Sequence, residues 1–161
     1  MISFFVPGLP APQGSKRAFV VAGKACLVES SKQCKPWRDS VRAAALEAMA
    51  GHAPFEGPLR LDVVFVLPRP HLVPKDRKGW PCGRPDRDKL LRSTCDGLTG
   101  VLYLDDSQPC VGAVAKYYVG SAPMEPSLTP GARITCAPLR CDHEGGANKR
   151  GRCFDCGEVL S

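Results

Sequence analysis

The sequence predicts an α+β fold, a mixed β-sheet carrying two main helices, followed by a short zinc-knuckle-like tail. Three observations carry this reading. Residues 59–67, L-R-L-D-V-V-F-V-L, place Leu61, Val63, Phe65 and Leu67 on one side of a strand and Arg60, Asp62, Val64 and Val66 on the other. Trp37, Val41, Ala44, Ala45 and Ala48 recur at helical spacing, with Arg38, Asp39, Arg42 and Glu47 mostly on the opposite face. A second helical stretch, about 88–98, opens after a loop with five prolines at 68, 70, 74, 81 and 85. At 161 residues the chain fits one ordinary domain that buries a sizeable core without disulfides.

The elements follow in order. Residues 2–6 read as a short strand stopped by Pro7 and Gly8. Residues 18–22 and 25–29 can pair as a hairpin across Gly23-Lys24. Ser30 and Ser31 offer N-cap oxygens to the first helix, Pro36 suits its first turn, and Gly51 ends it. The strand 59–67 is ended by Pro68 and Pro70. The loop 68–85 is long for a compact domain, and such loops are usually functional or disordered; the functional reading is favoured because it delivers the chain to Asp86. Residues 111–119 and 132–136 read as further strands. The composition shifts to Gly, Cys and charge near residue 140, which divides the chain into 1–139 and a tail, 140–161.

Charge is uneven. The formal net charge is +6, and residues 69–92 carry eight Lys or Arg against three Asp. Such a balance fits an anionic partner such as a nucleic acid, the alternative being a solvated basic loop. No apolar run is long enough to cross a membrane, and the first residues lack the charged and apolar regions of a signal peptide. A cytoplasmic protein with mostly reduced cysteines is therefore expected. No Ser-His-Asp order, Walker loop or dinucleotide fingerprint stands out.

The chemistry concentrates in residues 84–108, R-P-D-R-D-K-L-L-R-S-T-C-D-G-L-T-G-V-L-Y-L-D-D-S-Q. Asp86 and Asp88 stand at the start of the second helix, and Asp105-Asp106 follow a predicted turn. Taken alone, Asp86 would serve as a helix N-cap, and Asp88, Arg92 and Asp96, spaced i, i+4, i+8, as a surface ion-pair ladder. The second acidic pair points further. Leu102 and Leu104 are expected to anchor the turn in the core and aim Asp106 at the same place. Three convergent carboxylates among basic side chains suit a hard divalent cation held against a phosphate, with activation of water for phosphodiester cleavage.

These residues carry a resemblance. R-P-D-R-D-K-L-L-R, then D-G-L-T-G, then L-D-D-S-Q, supported by Q-G-S-K-R, P-W-R and F-V-L-P-R-P, resemble the RusA-type Holliday junction resolvases, often encoded by phages or prophages. The resemblance covers roughly residues 2–136. It implies an endodeoxyribonuclease that uses Mg²⁺ (or Mn²⁺), with Asp86, Asp88 and Asp106 as the catalytic, metal-binding aspartates. Arg92 falls where an essential lysine stands in the best-known member. Arginine stays charged at any working pH, so here it stabilises charge or binds phosphate rather than donating a proton. Asp96 is expected to pair with Arg92, and Asp105 to cap or to orient its neighbour. The resemblance also implies a homodimer that cuts four-way DNA junctions by paired nicks, a two-fold enzyme on a two-fold substrate. Lys16, Arg17, Arg69, Lys75, Arg77, Lys78, Arg84 and Lys89 are the expected DNA contacts, reading phosphates and branch shape more than base edges. Alternative readings are a nuclease for other branched replication intermediates and a non-catalytic junction-binding adaptor.

The tail places Cys141 and His143 ahead of Cys153-x-x-Cys156-Gly157, a ligand set that suits structural Zn²⁺, with Cys136 as a possible replacement. Lys149, Arg150 and Arg152 add positive charge there. His52 reads as a surface residue, and His71 and Trp80 as loop residues within reach of DNA.

Overall fold

Strand β4 (Leu59–Leu67) organises the molecule, and its bounds are those the alternation predicts. Leu59, Val63, Phe65 and Val66 are fully buried, while Arg60 is exposed and Asp62 and Val64 are half-buried. The computed structural model describes residues 1–14, 16–21, 23–29, 31–72, 79–122, 129–139, 146 and 148–152; along 16–21 and 24–29 the description is of the backbone.

β4 pairs antiparallel with β7 (Gly131–Pro138), which pairs antiparallel with the edge strand β1 (Ile2–Pro7). On its other side β4 runs parallel to β5 (Pro109–Val111) and β6 (Val114–Tyr118). The sheet is therefore mixed, as expected, and a separate hairpin joins β2 (Lys16–Val21) to β3 (Lys24–Glu29) around Gly23. The single strand expected over 111–119 is two short ones, because the chain breaks at Gly112 and Ala113. Asp62 holds the break: its Oδ1 accepts from the Ala113 N–H at 2.7 Å, and the Val63 N–H donates to the Ala113 carbonyl at 2.9 Å.

Helix α1 (Cys34–Met49) buries Cys34, Trp37, Val41, Ala45 and Met49, one stripe at three- and four-residue spacing. Its N-cap is Gln33, not Ser30 or Ser31, and no side chain caps it; the Ser31 carbonyl instead accepts from the Cys34 N–H at 3.2 Å. Helix α2 (Arg87–Leu98) packs on α1. Gly97 makes that approach possible, since a Cβ there would lie 3.0 Å from the Arg38 carbonyl and from Val41 Cβ. The Trp37 indole N–H donates to Thr94 Oγ1 at 3.1 Å across the same seam. Both helices bury their apolar faces with those of β4, β7 and β1 in one core.

The expected tail ligands Cys141, His143, Cys153 and Cys156 lie outside the described residues, as do Lys75, Arg77 and Lys78. Cys136 is in β7, fully buried in the core, and burial pushes its thiol up to about 11. It is a packing residue of the core. Residues 148–152 form a turn around Asn148, whose Oδ1 accepts from the Arg150 and Arg152 N–H groups at 2.8 and 3.2 Å. The turn leaves Lys149 and Arg150 exposed.

Candidate active site

The entrance to α2 is fixed from three sides. Lys116, on β6, donates to the carbonyls of Gly83 and Pro85 at 2.8 and 3.0 Å, and the Arg84–Pro85 peptide is cis. Arg87 Nη1 reaches the Val114 carbonyl at 3.3 Å. From the N-terminal loop, the Gln13 N–H donates to the Lys89 carbonyl at 3.0 Å, and Ser93 Oγ lies 2.5 Å from the Ala11 carbonyl. Leu90 and Leu98 are fully buried and root the helix in the core. The outward face is thus free to carry charge.

Asp86 occupies the N-cap position in extended conformation, yet its side chain makes no capping hydrogen bond. Its carboxylate meets Lys89 Nζ at 3.3 Å and stays half exposed. Asp88, in the first turn of α2, is exposed, and so is Arg92 one turn further along; among the described residues neither makes an ion pair or a side-chain hydrogen bond. The expected Arg92–Asp96 pair does not form. Asp96 instead binds Arg38 of α1, because that helix face turns toward the α1 seam by the third turn.

The D-G-L-T-G and L-D-D-S-Q segments build the second half. Thr99 Oγ1 donates back to the Cys95 carbonyl at 2.9 Å, and Gly100, at φ +75°, turns the chain so that its N–H reaches the Tyr103 carbonyl at 2.7 Å. Leu102 and Tyr103 are fully buried and anchor the turn, whereas Leu104 is 56% exposed. The expected anchor pair Leu102/Leu104 is therefore Leu102/Tyr103; the turn breaks the two-residue alternation that would have carried Leu104 inward.

Gln108 then holds the acidic pair in place. Its Oε1 accepts from the Leu104 and Asp105 N–H groups at 2.8 and 2.9 Å, and its Nε2 donates to the Phe55 and Gly57 carbonyls, both at 3.0 Å. Asp105 Oδ1 accepts from the Ser107 N–H at 2.9 Å, and the Ser107 hydrogen bonds hold its carboxyl below the usual carboxylate range. Asp105 is thus a turn residue, as expected, and Asp106 beside it is exposed with no side-chain partner among the described residues.

The field of Asp106 reaches α2. Burial pushes the Cys95 thiol up, a hydrogen bond with Tyr103 opposes this, and the charges of Asp96 and Asp106 add to the rise. Cys95 stands seven residues beyond Asp88, about 10 Å along the helix at about 1.5 Å per residue. The charge of Asp106 is thus felt at Cys95, in the last turn of α2. Among the described residues no group of three or more Asp, Glu, His or Cys is gathered to hold a metal ion. The donors are nonetheless all carboxylate oxygens. Such a set fits a hard cation held by one or two carboxylates and completed by water and substrate phosphate.

The basic residues divide. Arg84 and Lys89 are exposed beside Asp86. Arg69 turns inward: Nη2 bonds Ser121 Oγ, Nε reaches the Val119 carbonyl at 3.5 Å, and the guanidinium lies 5.7 Å from the Tyr118 ring centroid. It buttresses the end of β6 rather than standing free for phosphate. Lys16 and Arg17 lie on β2. Trp80 is 68% exposed with its ring 5.6 Å from that of Tyr117. Lys116, Tyr103 and Gln108 were not singled out from sequence. For Gln108 a signal existed, a side chain with donor and acceptor directly after an acidic turn; for Lys116 none did, since its role depends on which strand borders α2.

The family model described as "Endodeoxyribonuclease RusA" matches residues 7–125, which include Asp86, Asp88, Asp106 and the elements that hold them. The chain is also 30% identical over 129 residues to the "Uncharacterized protein YqaN" of Bacillus subtilis (strain 168), covering 73% of this chain and 87% of that protein. No described helix is long and apolar enough to cross a membrane. With three-quarters of its length spanned by both matches, the chain belongs to the endodeoxyribonuclease RusA family.

Proposed function

We propose that this protein is a divalent-metal-dependent endonuclease that resolves four-way DNA junctions, with Asp86, Asp88 and Asp106 as the metal-binding carboxylates. The observation that carries the reading is the state of these three side chains. Each is exposed, Asp86 and Asp88 at the start of α2 and Asp106 beyond the turn that follows it, and none makes a helix-cap or turn hydrogen bond. Their neighbours Asp96 and Asp105 are committed to Arg38 and Ser107. Asp88 and Asp106 have no side-chain partner among the described residues and Asp86 meets only the half-exposed Lys89; carboxylates so placed on a basic protein weaken DNA binding unless a cation offsets them.

Asp86 and Asp88 would hold Mg²⁺ or Mn²⁺ from the helix start, and Asp106 from the turn fixed by Gln108. When bound, the cation supplies Lewis-acid stabilisation of the pentacoordinate phosphate and of the leaving 3′-oxygen. Lys89, beside Asp86, and Arg92, one turn beyond Asp88, place positive charge along the strand being cut. Arg92 binds phosphate charge and does not deliver the proton, because its guanidinium does not titrate in the working range. Arg84, with Lys16, Arg17, Lys75, Arg77 and Lys78, extends the phosphate-binding surface, so affinity falls steeply with salt. A homodimer sets two such sites on symmetry-related strands, which yields paired nicks. Residues 140–161 would serve as an appendage to the 1–139 nuclease domain, in which Cys141, His143, Cys153 and Cys156 would hold Zn²⁺ and Lys149, Arg150 and Arg152 would add contacts to DNA.

The test is cleavage of a synthetic four-way junction beside three-way and flap substrates, with Mg²⁺ and with EDTA. Paired, Mg²⁺-dependent nicks in the four-way junction are expected, and Asp86→Asn should bind the junction without cutting it. Preferential cutting of flaps would move the substrate to other branched intermediates. Cutting that survives EDTA or Asp86→Asn would overturn the assignment.

A further inference from the structure

Beside the start of α2 lies a groove of about 740 Å³, walled by the N-terminal loop 9–14, the start of the loop after β4 and residues 81–89. Its volume is that of a small-ligand site rather than of a strand-binding channel. Six prolines between Pro10 and Pro85 stiffen the walls, and the Tyr118 ring lines the end nearest β4. The other end is the candidate site itself: Arg84, Asp86 and Lys89 all contribute to the lining. The groove is thus apolar and partly aromatic within, and charged where the cut phosphate would lie.

One polar group in this lining has no use inside the protein. Gln13 Oε1 is buried and makes no hydrogen bond among the described residues, although the Gln13 backbone is held firmly by the Lys89 carbonyl. Buried acceptors are nearly always paired, so one kept unpaired in a ligand-sized groove marks a recognition position.

We infer that this groove receives one unstacked nucleobase next to the phosphate being cut, and that Gln13 reads it through an exocyclic amine. The inference rests on the nuclease reading and names the specificity element of that same site. A nucleotide joins an anionic phosphate to an apolar, stackable base a few ångströms away, and the groove offers the complementary order: cations and carboxylates at the mouth, proline and tyrosine surfaces behind. Side-chain amides pair with base edges, and rigid ring surfaces accept bases without regard to sequence. Packing therefore supplies affinity, and Gln13 Oε1 supplies choice. An acceptor at that point favours bases that carry an amine over thymine, which has none. A branch point provides such a base cheaply, since stacking is already interrupted there.

Two measurements test this on the full-length protein. Junctions carrying 2-aminopurine beside the nick position are mixed with wild-type protein in EDTA, where nothing is cut. Fluorescence should rise on binding and stay quenched when the probe is moved several base pairs into an arm. Junctions randomised at the same position are then nicked with Mg²⁺, and the products should show about a tenfold preference for amine-bearing bases over thymine. In Gln13→Leu that ratio should fall toward one. Gln13→Ala, which only shortens the side chain, gives the same reading should leucine disturb folding. Nicking with flat fluorescence, or a base preference unchanged in both variants, overturns the inference and leaves the nuclease reading intact. Loss of nicking in the wild type with the fluorescence rise retained overturns the nuclease reading instead and supports the groove as a base site.

Discussion

Replacing Gln108 by alanine tests how the second half of the site is held. The side chain makes four hydrogen bonds, two accepted from Leu104 and Asp105 and two donated to Phe55 and Gly57. A neutral intramolecular hydrogen bond contributes about 0.5–1.5 kcal/mol net. Gln108 is only half-buried, so water replaces part of what is lost, and the substitution should cost about 2 kcal/mol. For a chain of this length that lowers the melting temperature by about 4–8 °C. The functional effect should exceed the thermal one. At a temperature where the variant is fully folded, the turn that carries Asp106 is loosened from the Phe55–Gly57 segment, and nicking should drop while junction binding persists. Gln108→Glu separates the two pairs of bonds. It keeps acceptors for Leu104 and Asp105 but sets a carboxylate against two carbonyls, and should destabilise at least as much. Scanning calorimetry and four-way junction nicking are the assays. A Gln108→Ala protein that melts within about 1 °C of wild type and nicks at the same rate would refute the positioning role.

Two other predictions concern the frame around the site. The Asp62 carboxyl is held below its ordinary value, chiefly by the Arg60 hydrogen bond, with the Ala113 N–H assisting against burial. A lowered folded-state value means that its stabilisation is complete above about pH 4 and is lost as pH falls below that. Thermal melts at pH 7 and pH 3 should therefore show a smaller difference for Asp62→Asn than for wild type; an equal difference would exclude Asp62 as a contributor. Gly97→Ala forces a methyl to within 3.0 Å of the Arg38 carbonyl and Val41, and overpacking of this kind costs about 1–3 kcal/mol, read by urea denaturation. An unchanged midpoint would show that the α1–α2 seam gives way freely.

Much of the frame was legible in the sequence because local periodicity dictates it. The alternation of residues 59–67 gave β4 its bounds, and the spacing of Trp37, Val41 and Ala45 gave α1 its buried face. The strand after Asp106 was legible only as a stretch. Its interruption at Gly112 depends on Asp62, some fifty residues earlier, which no local pattern reveals. The same limit applies to ion pairs. Asp96 lies at ideal helical spacing from Arg92 yet binds Arg38, because tertiary packing brought a second helix closer than the next turn of its own. Arg69 counted as one more cation in a basic run until the end of β6 drew it inward. At the site, the acidic residues were evident from their types and order, while Gln108, Lys116 and Gln13 act through backbone groups distant in sequence or through a groove that exists only once the chain has folded.

The central claim is that Asp106 joins Asp86 and Asp88 in one metal-dependent cut, while its neighbour Asp105 only shapes the turn. The most direct measurement compares Asp106→Asn with Asp105→Asn for Mg²⁺-dependent nicking and for binding of the same four-way junction. The account predicts that Asp106→Asn binds the junction but does not nick it, and that Asp105→Asn still nicks. Wild-type nicking by Asp106→Asn would contradict it.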